Sequence, residues 1–232
     1  MTDIIDEDSS YSYEILQSQH IDECSHLLTR SFALHNDVVR HANRPQNVIY
    51  QYMKKLVEYL LEEQLSLVAI DKHTKKVVSC LTCGDYYRCS NNEERQRQSL
   101  ESPLLCLCME MEERFTNEYK KFHQFEKKQI LHIYAGATDE NLMKKGKWKR
   151  LGYKIRRLAC EYALKQGFRL ALVEASHPAT LHIYIDKLNG KVFTSIQPQK
   201  WLWKHHDNYP YQNYEGEEIP LVIIKLDEMK LC

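Results

Sequence analysis

The sequence carries no net charge: 32 Lys and Arg stand against 32 Asp and Glu. That balance excludes a broadly basic coat for nucleic acid, whose affinity grows with the number of cations facing phosphate. No run approaches the 18 apolar residues of a membrane-spanning helix. The acidic start, MTDIIDEDSSYSYE, has neither the basic and apolar pattern of a secretory signal nor the Arg-rich pattern of a mitochondrial presequence. A soluble, cytoplasmic protein is therefore expected. No internal repeat recurs, and no second CxxC accompanies Cys80 and Cys83 at zinc-ribbon spacing. Those two cysteines lie in a strand pattern, where positions three apart face opposite ways. Cys106 and Cys108 sit two apart in a helical pattern and diverge. The eight cysteines are expected as free thiols, with no metal site.

What is present suffices for a core, since 43% of 232 residues are apolar. The expectation is one domain over residues 11–232 behind an acidic tail of residues 1–10. Periodicity predicts a strand from Tyr11 to Ile21, a helix from Asp22 to Ala33, and a helix from Asn47 to Glu63 with Ile49, Tyr52, Met53, Leu56, Tyr59 and Leu60 as its apolar stripe. Two strands follow, LSLVAIDKH and KVVSCLTCGDYY, then a polar loop, CSNNEERQRQSLESP, and a helix opened by Pro103. Beyond it come a strand QILHIYAGA, a basic segment, a helix ending at Gly167, a strand FRLALVEAS, a short helix from Ala179 to Leu188, and the strands GKVFTSIQ and IPLVIIKL. The order implies an α/β unit, a sheet covered by helices.

Positive charge is concentrated in one place. From Lys144 to Arg157 there are eight Lys or Arg and no acid. A strand that leads through a short loop into a helix suits an anion, because the unpaired N–H groups and the dipole of the first helical turn face it. The stripe Leu151, Ile155, Leu158, Ala159, Tyr162 and Ala163 turns Lys154 and Arg157 outward and sets Lys147 to Gly152 at the helix mouth. A solvated basic helix start with no ligand is the plain alternative.

This segment resembles the acetyl-CoA loop of the GCN5-related N-acetyltransferase superfamily, Gln/Arg-x-x-Gly-x-Gly/Ala followed by a helix. The frame falls on Lys147, Trp148, Lys149, Arg150, Leu151 and Gly152. Lys147 replaces the usual Gln or Arg, Arg150 replaces the first Gly, and Gly152 matches. LHIYAGA resembles the strand before that loop, and ALVEASHPATLHIYIDKLNGKVF the strand, short helix and turn after it. The likeness spans Tyr11 to Leu226, and SFALHND and GEEIPLVIIKL suggest the arylalkylamine N-acetyltransferase branch.

The resemblance implies a central mixed, mostly antiparallel sheet of about seven strands and acetyl transfer from acetyl-CoA directly to a primary amine of a small molecule or peptide. A catalytically impaired protein of the same fold, acting as a binding subunit, is the alternative. It implies donor binding by Tyr134, Ala135, Gly136 and Ala137 on the strand, by Lys147 to Gly152 and Tyr153 at the loop, and by Ser176. It implies His132 as base, although its partner position is Ile130, and Tyr184 as the acid for the leaving thiolate. The position where the insect branch carries a basic Glu holds Asn36, which cannot act as a base. KWLWKHHDNYPYQNYEG gathers aromatics that suit an acceptor slot or, equally, a protein contact surface from Trp201 to Tyr214.

Overall fold

The computed structural model describes residues 4–145 and 148–229, with the backbone alone at 143–145 and 148–149. Eight strands form one sheet: β1 (Ile4–Glu7), β2 (Tyr11–Ile15), β3 (Leu67–Asp71), β4 (Val77–Asp85), β5 (Ile130–Thr138), β6 (Leu170–Glu174), β7 (Lys191–Ile196) and β8 (Ile219–Lys225). Their order is β1-β2-β3-β4-β5-β6-β8-β7. Every neighbouring pair is antiparallel except β5 and β6, which run parallel. Helices α1 (Ile21–His35), α2 (Asp37–His41), α3 (Gln46–Leu61), α4 (Tyr86–Ser90), α5 (Glu93–Ser99), α6 (Pro103–Tyr119), α7 (Trp148–Lys165) and α8 (Pro178–His182) surround it. No helix among the described residues is long and apolar enough to cross a membrane.

The strand beyond the expected seven comes from the acidic start. Residues 4–7 pair with β2 rather than standing apart as a tail. Asp8 accepts from the backbone N–H groups of Ser10 and Tyr11 and so closes the turn into β2. Lys154 on α7 lies 3.0 Å from Asp6 and 3.1 Å from Asp8, with its ammonium 4.3 Å from the Tyr13 ring centroid. Part of the positive charge on α7 is thus met by the chain's own N-terminal acids.

Three connections differ from the expectation. The polar stretch after β4 forms α4 and α5, because Asp85 and Asn92 accept the N–H groups of Tyr87 and Arg95 as caps. Glu93 and Glu94 then suit the positive end of α5. α7 begins at Trp148 rather than at Leu151. The short helix after β6 divides into α8 and a single π-turn over Ile183–Lys187.

The sheet is buried on both faces. Leu131 and Ile133 of β5 join Cys83, Ile155, Ala159 and Tyr184 in the core beneath α7. On the other face α6 packs with Ile130, Leu172 and Trp201, while α1 and α3 pack with Cys80, Ala135 and Ala137. Cys80 and Cys83 accordingly lie in different cores, as strand alternation requires.

Candidate active site

The site begins where the sheet divides. β5 and β6 pair only at Ile130↔Leu170, Leu131↔Ala171 and His132↔Leu172. Just past that point the β4–β5 ladder slips: Thr82 faces Ala135, Cys83 faces Ile133, and Tyr134 between them has no opposite residue. This is a bulge, which re-aims side chains and increases local twist. It changes which face a given parity points to, for Ile133 lies in the α7 core and Ala135 in the α1–α3 core. Thr82 mends the interrupted ladder, donating through its hydroxyl to the Ala135 carbonyl and accepting from the Ala135 N–H.

His132, Tyr134 and Ala135 thereby reach one cavity of about 470 Å³, shared with Asn36, Arg95, Glu174, Ser176 and Tyr211 and walled mainly by Phe32, Tyr52, Met53, Leu56, Leu104 and Leu105. The part of this wall from Asn92 to Ser102 comes from the segment expected as a loop.

A buried ionic chain underlies the cavity. His132 is 1% exposed. Its Nε2 lies 3.2 Å from Glu174 Oε2 and 3.9 Å from Glu112 Oε1, and its Nδ1 lies 3.5 Å from Cys89 Sγ. Arg95 donates to both oxygens of Glu112, at 2.8 and 2.5 Å. Burial alone would push the imidazole pKa down, but the carboxylates of Glu174 and Glu112 override it and hold the pKa well above 6.5. Burial likewise raises the Glu174 carboxyl, yet the neighbouring imidazolium keeps its pKa below the ordinary value. Both directions describe one ion pair, His132 protonated and Glu174 ionised.

Replacement of Glu174 by Gln should therefore lower the His132 pKa, since it removes the nearer of the two carboxylates that oppose burial. Imidazole chemical shifts followed against pH read this directly. An unchanged titration would show that Glu174 does not set the charge of His132.

Three residues on the cavity wall carry an oxygen without a hydrogen-bond partner among the described residues: Tyr134 Oη, Glu174 Oε1 and Tyr211 Oη. Cys89, Glu112 and His132 also bring one possible metal-ligand atom each within 4.8 Å of one another. Glu112 is already held by both arms of Arg95, and Cys89 and Glu112 face opposite ring nitrogens, so this donor set fits a metal poorly.

The expected site residues are only partly brought together. His132, Tyr134, Ala135 and Ser176 line the cavity. Tyr184 does not; it is 1% exposed in the core under α7, with its phenol pKa raised by burial. Gly136, Ala137, Leu151, Gly152 and Tyr153 lie where β5 and the first turns of α7 meet, and Arg150 is exposed. Lys147 lies outside the described residues, and only the backbone is described at Trp148 and Lys149. Asn36 caps α2 and donates to Ser176 Oγ at 2.8 Å.

The aromatic segment is largely core. Trp201, Trp203, Tyr211 and Tyr214 are all below 9% exposed and pack beside α6, which removes most of the ring surface that a protein partner would need. Sequence reasoning missed Glu174, Arg95 and Glu112. Glu174 was legible as an acid at the end of an apolar strand, whereas Arg95 lies in a polar stretch and its partner Glu112 on the helix after it.

The order of strands, the parallel pair that parts after three residues, the bulge on the first of them and the helix that follows define the fold of the GCN5-related N-acetyltransferases. Arylalkylamine N-acetyltransferase 2 from Aedes aegypti has this architecture, with a TM-score of 0.72 at 18% identity over 93% of this chain and 99% of that one. A mosquito arylalkylamine N-acetyltransferase like 5b gives 0.71 at 12% identity over 93% and 100%. The C-terminal condensation domain of Ebony, solved in complex with beta-alanyl-dopamine, gives 0.69 at 15% identity over 93% and 98%. At these identities the likeness is one of fold. No family model and no curated protein matches the sequence.

Proposed function

We propose that the protein is an acetyl-CoA-dependent N-acetyltransferase that acetylates a primary amine by direct transfer. The observation that carries this reading is Glu174: a carboxylate kept ionised by His132, with one oxygen unpartnered, on the wall of a mostly apolar cavity where β5 and β6 part. An ionised carboxylate can accept a proton from an ammonium group, whereas a protonated imidazole has no lone pair to offer. The base is therefore Glu174, and His132, the expected base, positions and charges it.

Donor binding follows from the divided sheet. Beyond His132, β5 presents backbone groups that β6 does not pair, which suits the amides of a pantetheine arm lying along Tyr134 to Ala137 with Ser176 opposite. The first turn of α7 and the basic approach to it, Lys147 to Gly152 with Tyr153, suit the pyrophosphate. The amine nitrogen attacks the thioester carbonyl carbon; the C–N bond forms as the C–S bond breaks. Glu174 takes the proton from nitrogen, and the departing thiolate takes one from the Tyr134 phenol, which burial keeps protonated. Tyr134 takes this role in place of Tyr184 because it lines the cavity and its hydroxyl has only the Cys89 thiol beside it among the described residues. The apolar and aromatic wall, Tyr211 included, favours an acceptor with a hydrophobic body, and a small amine fits the volume better than a folded peptide.

Titration calorimetry with acetyl-CoA tests the donor half. Binding is expected, and CoA at about one hundred times its dissociation constant should stabilise the fold by about 2.7 kcal/mol. Absence of both heat and thermal stabilisation at millimolar CoA would remove the enzymatic reading.

A further inference from the structure

The helix that follows the divided sheet contains a buried arginine whose surroundings differ from those of Arg95. Arg156 falls on the face of α7 that turns toward the sheet, one turn beyond Gly152, and is 6% exposed. Arg95 meets a carboxylate with both arms. Arg156 forms no ion pair among the described residues. Its Nη1 donates to the Gly152 carbonyl at 2.8 Å, its guanidinium lies beside Tyr184 with its carbon 5.7 Å from the ring centroid and a hydrogen bond to the phenol, and its Nε has no partner among the described residues. A buried cation without a paired carboxylate is costly to hold.

Its position bears on the glycine of the strand, whereas contact at the glycine of the helix is ordinary. A Cβ on Gly136 would come within 3.0 Å of Arg156 Nη2 and 2.7 Å of Leu81 Cδ1, and one on Gly152 would lie 3.5 Å from Arg156 Nη1 and from Thr138 Oγ1. Glycine on the strand therefore leaves the guanidinium lying against bare backbone. That backbone belongs to the part of β5 that β6 does not pair.

We infer that Arg156 is a donor-binding residue, which hydrogen-bonds an oxygen of the acyl carrier: a pantetheine carbonyl or a phosphate. This rests on the acetyl-CoA reading above and adds to it a contact made from inside the helix, on its sheet-facing side, rather than from the loop. The uncommitted N–H supplies the donor, and burial strengthens the bond it makes.

The test is calorimetry on the full chain and its Arg156→Leu and Arg156→Lys variants with CoA, ADP and pantetheine, together with thermal midpoints without ligand. Arg156→Leu is expected to fold with an unchanged or higher midpoint, since an unpaired buried charge is gone, and to bind CoA about 10- to 100-fold more weakly. Arg156→Lys should recover part of the loss. A parallel loss for ADP assigns the contact to phosphate, and a loss for pantetheine with ADP unaffected assigns it to the arm. Wild-type binding of CoA with equal or tighter binding by Arg156→Leu overturns this inference alone, whereas failure of the wild type to bind CoA overturns the donor reading with it.

Discussion

Replacing Glu174 with Gln is expected to lower turnover by about 10²- to 10⁴-fold, the range for loss of general-base assistance, with donor affinity little changed. The amide keeps the size of the side chain and can still meet His132, but it cannot take a proton. Because Glu174 lines the cavity while its Oε2 is bound to His132 at 3.2 Å, the effect should appear in kcat rather than in binding of CoA. His132→Gln should cost less than Glu174→Gln, as it acts through the carboxylate it orients and charges. If the order is reversed, with His132→Gln abolishing turnover and Glu174→Gln tolerated, the imidazole is the base and the protonation state assigned here is wrong.

Arg95→Ala is expected to cost about 3–5 kcal/mol of stability, the penalty of leaving a buried charge without its partner. The Glu112 side chain is 3% exposed, and Arg95 is the cation that meets it with both arms, while His132 stands off at 3.9 Å. Removing Arg95 leaves a buried carboxylate beneath the cavity and brings down α5, which holds part of the wall. A chemical-denaturation midpoint gives the value. The double variant Arg95→Leu with Glu112→Leu separates the causes: it should recover most of the loss, because two apolar side chains need neither counterion nor hydration. A double variant as unstable as Arg95→Ala would mean that packing, not charge, is at stake.

Much of the fold was legible because local periodicity and tertiary packing agree in it. Ile49, Met53 and Leu60 of α3 repeat at helical spacing and are buried, and β4, β5 and β8 are near-continuous apolar runs bounded by polar residues. Reading failed where polar residues do the work of apolar ones. The stretch from Cys89 to Pro103 looks like a loop because Arg95, the side chain it turns inward, is charged, and its partner Glu112 lies on the next helix. The acidic start looks like a tail because Asp6 and Asp8 answer a lysine far along the chain, Lys154. Arg156 escaped notice for the same reason: it shares the phase of Gly152, Ala159 and Ala163, but a cation does not count toward an apolar stripe. His132 could be singled out from sequence, but its charge state could not, because that depends on Glu174 across the parallel pair.

The most direct measurement of the central claim is product analysis. The protein, acetyl-CoA and a panel of arylalkylamines, alkyl polyamines and lysine-containing peptides are incubated, with free thiol release followed against mass-spectrometric detection of the N-acetyl product. The account predicts equimolar thiol and N-acetylamine with at least one small amine bearing a hydrophobic body, and loss of both with Glu174→Gln. Tight binding of CoA without acetylation of any acceptor in the panel, wild type and Glu174→Gln alike, would contradict it.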